Sequence, residues 1–417
     1  MSNLASKTSS TNNSSSRQLR VAMVAYTFYN SDPRVRRHVR NLTEAGYAVD
    51  VIALHYDGDR ENPQDSDAIR FLLPRGRDYS RQGKFYQIYE YTAFTVQSGW
   101  RMLRNHLSGR KYDVVHINNM PNFLIFGALP LRLLRVPVLL DVHDTMPEIY
   151  QERFDVPPTH WMIRLLFLEE RWSMRLASFI ITTEHTKWER LIENRLQRKR
   201  SKVTLNLPDP DLFPLLPLPD NREHANDERG KGPFRIVYHG TLARRLGLDI
   251  AIRAVGLLCE SIPNIRLEIT GDGEFRPNLV ALVDELGLQE QVVFSDGFLP
   301  TDQVLERLIG AHLAVIPSRP NIGTRLMLPT KLLEYFRLGI PAITVPTDTI
   351  CHYFTKEMVC FVPGENPEAL AEAILGLYEN AERRLELAQN ARRFFDTYNF
   401  ETERDVYLGV VQELVRH

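Results

Sequence analysis

Cysteine is scarce in this chain: Cys259, Cys351 and Cys360 are three among 417 residues. They have no metal-ligand spacing and cannot all pair, which fits a reducing compartment and reads them as small core hydrophobes. Neither sign of charge dominates, with 51 Lys and Arg against 52 Asp and Glu and a net charge of −1. A global electrostatic footprint for nucleic acid is thereby excluded, and any basic function must be local. No apolar run reaches the roughly 18 residues that a spanning helix needs. The nearest, 123–142, is cut by Pro130, Arg132, Arg135 and Pro137. Residues 1–17 are rich in Ser, Asn and Thr and lack an apolar h-region, so a disordered tail is expected there and not a signal peptide. Walker loops, zinc spacings and solenoid repeats are also missing, and no metal site is expected.

What is present is the composition of a soluble globular protein, 43% hydrophobic and 25% charged, at a length that predicts two domains. Leu19 to Tyr26 reads as a buried strand. A helix begins near Ser31-Asp32-Pro33, with Val35, Val39 and Leu42 at i, i+4 and i+7, and ends at Gly46. With a strand over Val49 to Leu54 this makes a βαβ unit, so the sheet should be parallel. Arg34 lies in the first helical turn, where a cation opposes the helix dipole; it reads either as a solvated side chain or as a contact for an anionic acceptor or phosphate. From Arg75 to Lys111, basic residues (Arg77, Arg81, Lys84, Arg101, Arg104, Arg110) mix with aromatics (Phe85, Tyr86, Tyr89, Tyr91, Phe94, Trp100). A long helix with a core face and a wet face accounts for that pattern, and so does a surface lying on anionic lipid.

Strands over Val114 to Ile117 and Val138 to Val142 flank a helix over Asn122 to Leu134. The second strand runs into His143-Asp144-Thr145-Met146-Pro147-Glu148. Thr145 with Glu148 fits a capping box and Pro147 suits a first turn. His143 is not explained that way: it stands at the carboxyl end of a parallel strand, where an imidazole can hold or deprotonate a hydroxyl. Residues 160–200 read as helical, followed by a strand over Val203 to Leu205. The stretch 206–232, first Pro-rich and then charge-rich, marks a domain boundary. The second half repeats the rhythm, with strands ending in Gly240-Thr241-Leu242-Ala243-Arg244-Arg245 and Gly271-Asp272-Gly273-Glu274.

Ala311 to Val345 is the stretch around which the rest is organised. It reads as a strand over Leu313 to Ile316, a polar loop, a helix opening at Pro329, a stop at Gly339 and a strand over Ala342 to Val345. The amides of Thr330, Lys331 and Leu332 then point from a helix N-terminus toward the strand ends, where an anion can sit. Lys331 and Glu334 share one side, opposite Leu332 and Phe336. Together they would suit a phosphorylated sugar carrier, although an i, i+3 pair is also an ordinary solvated one.

These residues carry a resemblance. The segments VYHGTLARRLGLDIAI, LEITGDGE, VVFSDGFLP and LPTKLLEYFRLGIPAI, with DPRVRRHVRNLTEAGYAVDVIAL and LLDVHDTMPE before them, are similar to the GT-B glycosyltransferases of family 4, often called group 1. Nearly the whole chain from Arg20 resembles them. The LP-x-K-x-x-EY pattern resembles a bacterial exopolysaccharide subgroup. The resemblance implies an α/β fold of two Rossmann-like, doubly wound parallel-sheet domains facing a cleft. Expected boundaries are a tail over 1–17, an acceptor-side domain over 18–206, a linker over 207–233, a nucleotide-sugar domain over 234–395, and a C-terminal helix over 396–417 that can pack back on the first domain.

By position the resemblance implies His143 near the transferred sugar, Arg245 and Lys331 against the diphosphate, and Glu334 on the donor ribose. The remaining donor contacts are expected from Gly240, Thr241, Arg244, Gly271, Asp272, Gly273, Thr330 and Leu332. Three departures stand out. The first of the family's two glutamates falls at Leu326; its Arg and Lys fall at Thr241 and Leu246; and the loop Thr27 to Ser31 has no glycine. The implied activity is a metal-independent, retaining hexosyltransferase without a cofactor, taking a UDP- or GDP-linked sugar to a lipid-linked or polysaccharide acceptor. A cytoplasmic place, with peripheral attachment to the inner face of the membrane left open, goes with it. The alternatives are a nucleotide-sugar 2-epimerase and an inactive nucleotide-binding scaffold.

Overall fold

The computed structural model describes residues 17–56, 62–76, 84–218 and 232–416. Residues 1–16 of the expected tail over 1–17, Arg77 and Arg81 of the basic stretch, and 219–231 of the expected linker lie outside these residues. By compactness the chain divides into residues up to 116 with 127–137, and residues 117–126 with 138 onward.

The first unit opens with β1 (Arg20–Phe28), α1 (Pro33–Glu44), β2 (Ala48–His55), β3 (Ile69–Gly76) and α2 (Lys84–Leu107). Asp32 caps α1 by accepting from the amides of Arg34 and Val35, and Pro33 occupies the first turn. Val35, Val39 and Leu42 are buried, as their spacing predicts. A buried carboxylate stabilises the sheet's underside: Asp50 accepts from Arg20 at 2.9 Å and from the Tyr112 hydroxyl at 2.7 Å. β4 (Val114–Asn118) straddles the two units, and α3 (Leu129–Leu133) belongs to the first. The expected helix over Asn122 to Leu134 is instead a 3-10 stretch over Asn122–Ala128 followed by the single turn of α3, with Pro130 at its start.

The second unit continues through β5 (Val138–Val142), α4 (Met146–Phe154), α5 (Trp161–Leu176), β6 (Phe179–Thr182), α6 (His185–Glu193) and β7 (Ser201–Val203). The helical expectation over 160–200 is thus corrected by β6, four buried residues inside the sheet, three of them apolar. Sheet order is β3-β2-β1-β4-β5-β6-β7. The same unit holds a second sheet built from β8 (Phe234–His239), α7 (Leu248–Leu258), β9 (Ile265–Thr270), α8 (Arg276–Leu286), β10 (Val292–Phe294), α9 (Thr301–Leu308), β11 (Leu313–Ile316), α10 (Thr330–Arg337), β12 (Ala342–Thr344), α11 (Asp348–Tyr353) and β13 (Cys360–Phe361). α12 (Pro367–Glu379), α13 (Ala381–Arg392), a short turn α14 (Phe394–Thr397) and α15 (Phe400–Arg416) close the chain. The order is β10-β9-β8-β11-β12-β13, with parallel pairing.

One face of this second sheet packs α7, α8 and α12 through Ile252, Val255, Leu279 and Ile374, and the other packs α10 through Leu332, Leu333 and Phe336. Strand order reverses between β8 and β11, and at such a reversal the two following connections lead to opposite faces and leave a crevice at the carboxyl ends. The fold therefore aims the loops after His239 and after Ile316 at one spot.

Candidate active site

At that spot the structure gathers the last two residues of β8 and the first turns of α10. Lys331 places Nζ 2.6 Å from the hydroxyl of Tyr238 and 3.9 Å from its ring centroid. Burial pushes the Lys331 ammonium down to about 7, opposed by the Glu334 charge and reinforced by Arg245. Burial also raises the Tyr238 phenol, which donates to the carbonyl of Thr241 at 2.8 Å. Glu334 Oε2 lies 2.5 Å from His239 Nε2, and the other ring nitrogen of His239 lies 3.0 Å from the Tyr335 hydroxyl. The His239 amide donates to that same hydroxyl. Carboxylate, imidazole and phenol thus form a chain that fixes Glu334 at the crevice, while among the described residues Lys331 has no carboxylate in hydrogen-bond reach to hold its charge against burial.

Glycine shapes the floor. Gly271 has φ +142°, and a Cβ there would sit 1.9 Å from the Gly240 carbonyl. Gly240 at φ +111° lies under Lys331, its own Cβ position 3.1 Å from Nζ. Two strand-end turns can touch only without side chains, which is the physical content of glycine at these positions. The Gly273 amide donates to Asp272 Oδ1, and the Gly271 amide donates to Ser295 Oγ. Arg244 and Arg245 are exposed on a 3-10 turn over Arg244–Leu246. Their carbonyls are held by Arg319, which also grips Asp249 with two bonds of 2.7 and 2.9 Å.

α10 is capped by Pro329, one residue later than the sequence suggests, with Thr330 first in the helix. The Leu332 amide is not available to a ligand: it donates to the Pro329 carbonyl at 3.0 Å because the first turn tightens to an i→i+3 bond, and its side chain lies in the core. Amides of Thr330 and Lys331 remain at the helix start. Leu326 and Leu246, where the resemblance expects a carboxylate and a cation, are both buried apolar residues.

His143 is buried with Nε2 2.9 Å from Asp141 Oδ2. Its amide donates to Asn119 Oδ1 at 2.8 Å, and its carbonyl accepts from Lys187. The capping box expected from Thr145 and Glu148 does not form: Thr145 makes no side-chain cap bond. Glu148 is taken instead by the Arg190 guanidinium at 2.5 and 2.6 Å, and Arg190 also reaches Glu170. Two charge-assisted bonds to a buried arginine outweigh one local cap. Arg34, in the first unit, lies against its own helix cap, with Nε and Nη2 each 3.4 Å from Asp32. The loop after β1 rests on aromatic stacking, Phe28 on Tyr56 at 4.3 Å.

Sequence reasoning missed His239, Tyr238 and Tyr335. The signal for the first was available, since the rule that singles out His143, a histidine closing a parallel strand, applies equally to His239. Tyr335 looks from the sequence like one more apolar position of α10.

Two parallel sheets with helices, and a crevice lined by a cation, a carboxylate and glycine turns, define a GT-B type glycosyltransferase architecture. The family models bear this out: residues 220–394 match the glycosyl transferases group 1 model and residues 31–206 match the glycosyl transferase 4-like domain. The chain belongs to the group 1 glycosyltransferases. Among curated relatives, it is 28% identical over 207 residues to the 2-deoxystreptamine glucosyltransferase of Streptomyces kanamyceticus, covering 49% of this chain and about half, 52%, of that relative. Among solved structures, a sucrose-phosphate synthase of Thermosynechococcus elongatus superposes with a TM-score of 0.75 at 17% identity, over 95% of this chain and 99% of that one. Anabaena HepE in complex with UDP superposes at 0.68 with 15% identity, over 95% and 100%. Among the described residues no helix is long and apolar enough to cross a membrane.

Proposed function

We propose that this chain transfers a hexose, with retention and without a metal, from a UDP- or GDP-linked donor to a lipid-linked or growing polysaccharide acceptor at the cytoplasmic side of a membrane. The observation that carries this reading is the Lys331 ammonium beside the N-terminus of α10, facing Arg245 and Glu334 at the reversal of strand order. Such a site binds a diphosphate and, one turn along, a vicinal diol. The UDP bound by HepE supports a nucleotide donor by analogy of fold.

Glu334, held by His239, accepts from the ribose hydroxyls. His143, oriented by Asp141, holds a hydroxyl of the sugar. As the bond from the anomeric carbon to the diphosphate oxygen breaks, charge gathers on the leaving group, and Lys331, Arg245 and the helix amides stabilise it in this reading. The acceptor oxygen bonds to the anomeric carbon from the side the nucleotide leaves, and its proton passes to the departing diphosphate. The exposed side chains of α2, among them Tyr89, Val96, Trp100 and Arg104, support attachment to an anionic membrane surface.

The test is a thermal-shift and turnover screen against UDP-, GDP- and ADP-sugars. Stabilisation by one of them, with release of that nucleotide and loss of transfer in Glu334→Ala, is the expected result. Absence of any shift would sink the donor reading.

A further inference from the structure

Helix α5 (Trp161–Leu176) carries two glutamates and three arginines, and the fold sorts them by sign. Glu169 faces inward, accepting from Ser173 at 3.1 Å and Asn122 at 3.3 Å. Glu170 is buried against Arg190 and accepts from Asn194 at 2.5 Å. Burial raises both carboxyls, Glu169 to about 7. Outside, Arg164 and Arg175 are exposed, and Arg171 is half-buried with Nε on Asn194 Oδ1 at 2.6 Å.

Beside these cations, which at about 100° per residue all fall on one flank, the helix shows solvent a stripe of its largest apolar side chains. Trp161 is 70% exposed, Leu165 54%, Leu168 41% and Trp172 54%. The spacing i, i+4, i+7, i+11 puts all four within an arc of about 60° at about 100° per residue. The inner face is independently filled, since Ile163, Ser173 and Met174 are buried. The outward stripe is therefore surplus to what folding needs.

We propose that α5 is an interfacial membrane helix: Trp161, Leu165, Leu168 and Trp172 enter the headgroup boundary of an anionic bilayer while Arg164, Arg171 and Arg175 lie against lipid phosphates. The sorting of charge selects this occupant. A second copy meeting the same face brings no free carboxylate to the cation flank, since Glu169 on the opposite flank is taken up by Ser173 and Asn122, whereas an anionic surface complements it. Tryptophan and arginine beside leucine are the side chains that the bilayer boundary favours, with rings and guanidinium at headgroup level. The inference extends the membrane reading to a helix that the sequence did not single out. It stands apart from α2 and from the transfer chemistry.

The chain's four tryptophans, Trp100, Trp161, Trp172 and Trp188, make the test direct. Trp188 is tied by its indole N–H to Ser201 at 2.9 Å, so Trp161 and Trp172 are the lipid reporters once Trp100 is removed. The full chain carrying Trp100→Phe is mixed with vesicles of phosphatidylcholine alone or with about one-third phosphatidylglycerol, their acyl chains brominated near the headgroup. Quenching of tryptophan emission only with the anionic vesicles is expected. It should vanish when Trp161→Phe and Trp172→Phe are added, and Arg164→Glu with Arg175→Glu should weaken partitioning at least tenfold. Each variant's melting curve reports whether it folds, and the tryptophan and arginine changes fail or succeed independently. Two results would overturn the proposal: no quenching of the Trp100→Phe protein, or a concentration-dependent dimer in sedimentation without lipid that Leu165→Glu dissolves.

Discussion

Lys331 should take up a proton when the donor binds. In the empty site its ammonium is held down to about 7 by burial, against an ordinary value of 10.5. That shift corresponds to a charging cost of at most about 5 kcal/mol, an upper bound because part of the side chain meets solvent. A diphosphate beside Nζ repays this cost, so the bound amine is charged well above pH 7. At pH 8 only about a tenth of the empty site is protonated, and binding a nucleotide-sugar should take up about 0.9 proton. Affinity then falls by about 15-fold between pH 7 and pH 8.5, the ratio of charged fractions for a group near 7. Isothermal titration in buffers of different ionisation enthalpy reads both quantities. Lys331→Arg, charged throughout, should flatten the profile, and Lys331→Met should weaken binding at all pH. The same shift has a sign in stability. A lysine lowered from 10.5 contributes fully above that value, loses its contribution as pH falls toward 7 and changes nothing below. Lys331→Met should therefore raise the melting temperature near pH 7 and lose that advantage toward pH 10. Donor affinity independent of pH between 7 and 8.5, with no proton uptake, would refute the reasoning.

Two further perturbations follow from the same geometry. Arg190→Met leaves Glu148 and Glu170 buried without their guanidinium, a loss of about 3–5 kcal/mol that chemical denaturation should register, with partial recovery in Arg190→Met combined with Glu148→Gln. Gly271→Ala must move a Cβ away from the Gly240 carbonyl, 1.9 Å distant; we expect transfer to fall at least tenfold and melting to drop, whereas Gly287→Ala, strained but in open space at φ +66°, should cost about 1 kcal/mol and leave transfer intact.

Where the sequence reads well, short-range physics decides. The strands Val138–Val142, Ile265–Thr270, Val292–Phe294 and Leu313–Ile316 stand where their apolar runs place them. Gly46 and Gly339 end helices at φ +88° and +75° because a left-handed residue must follow the last turn. Where it reads poorly, competing signals are at fault. β3 contains Pro74, which argues against a strand and is tolerated because β3 lies at the sheet edge. β6 follows α5 after two residues with similar apolar content, and at four residues it has no period of its own.

By itself the sequence determined the class of fold, two runs of alternating strands and helices, and the stretch from Ala311 to Val345 on which the site is built. It determined these because apolar period, glycine and proline act over a few residues. Tertiary structure alone decided what the polar groups do. Glu148 serves Arg190 in place of its own helix, Glu334 meets a histidine 95 positions away, Lys331 rests on a phenol 93 positions away, and the two acids of α5 turn inward. Such partners are chosen by burial, where an unpaired charge costs more than any local preference returns, and burial is known only once the chain has folded.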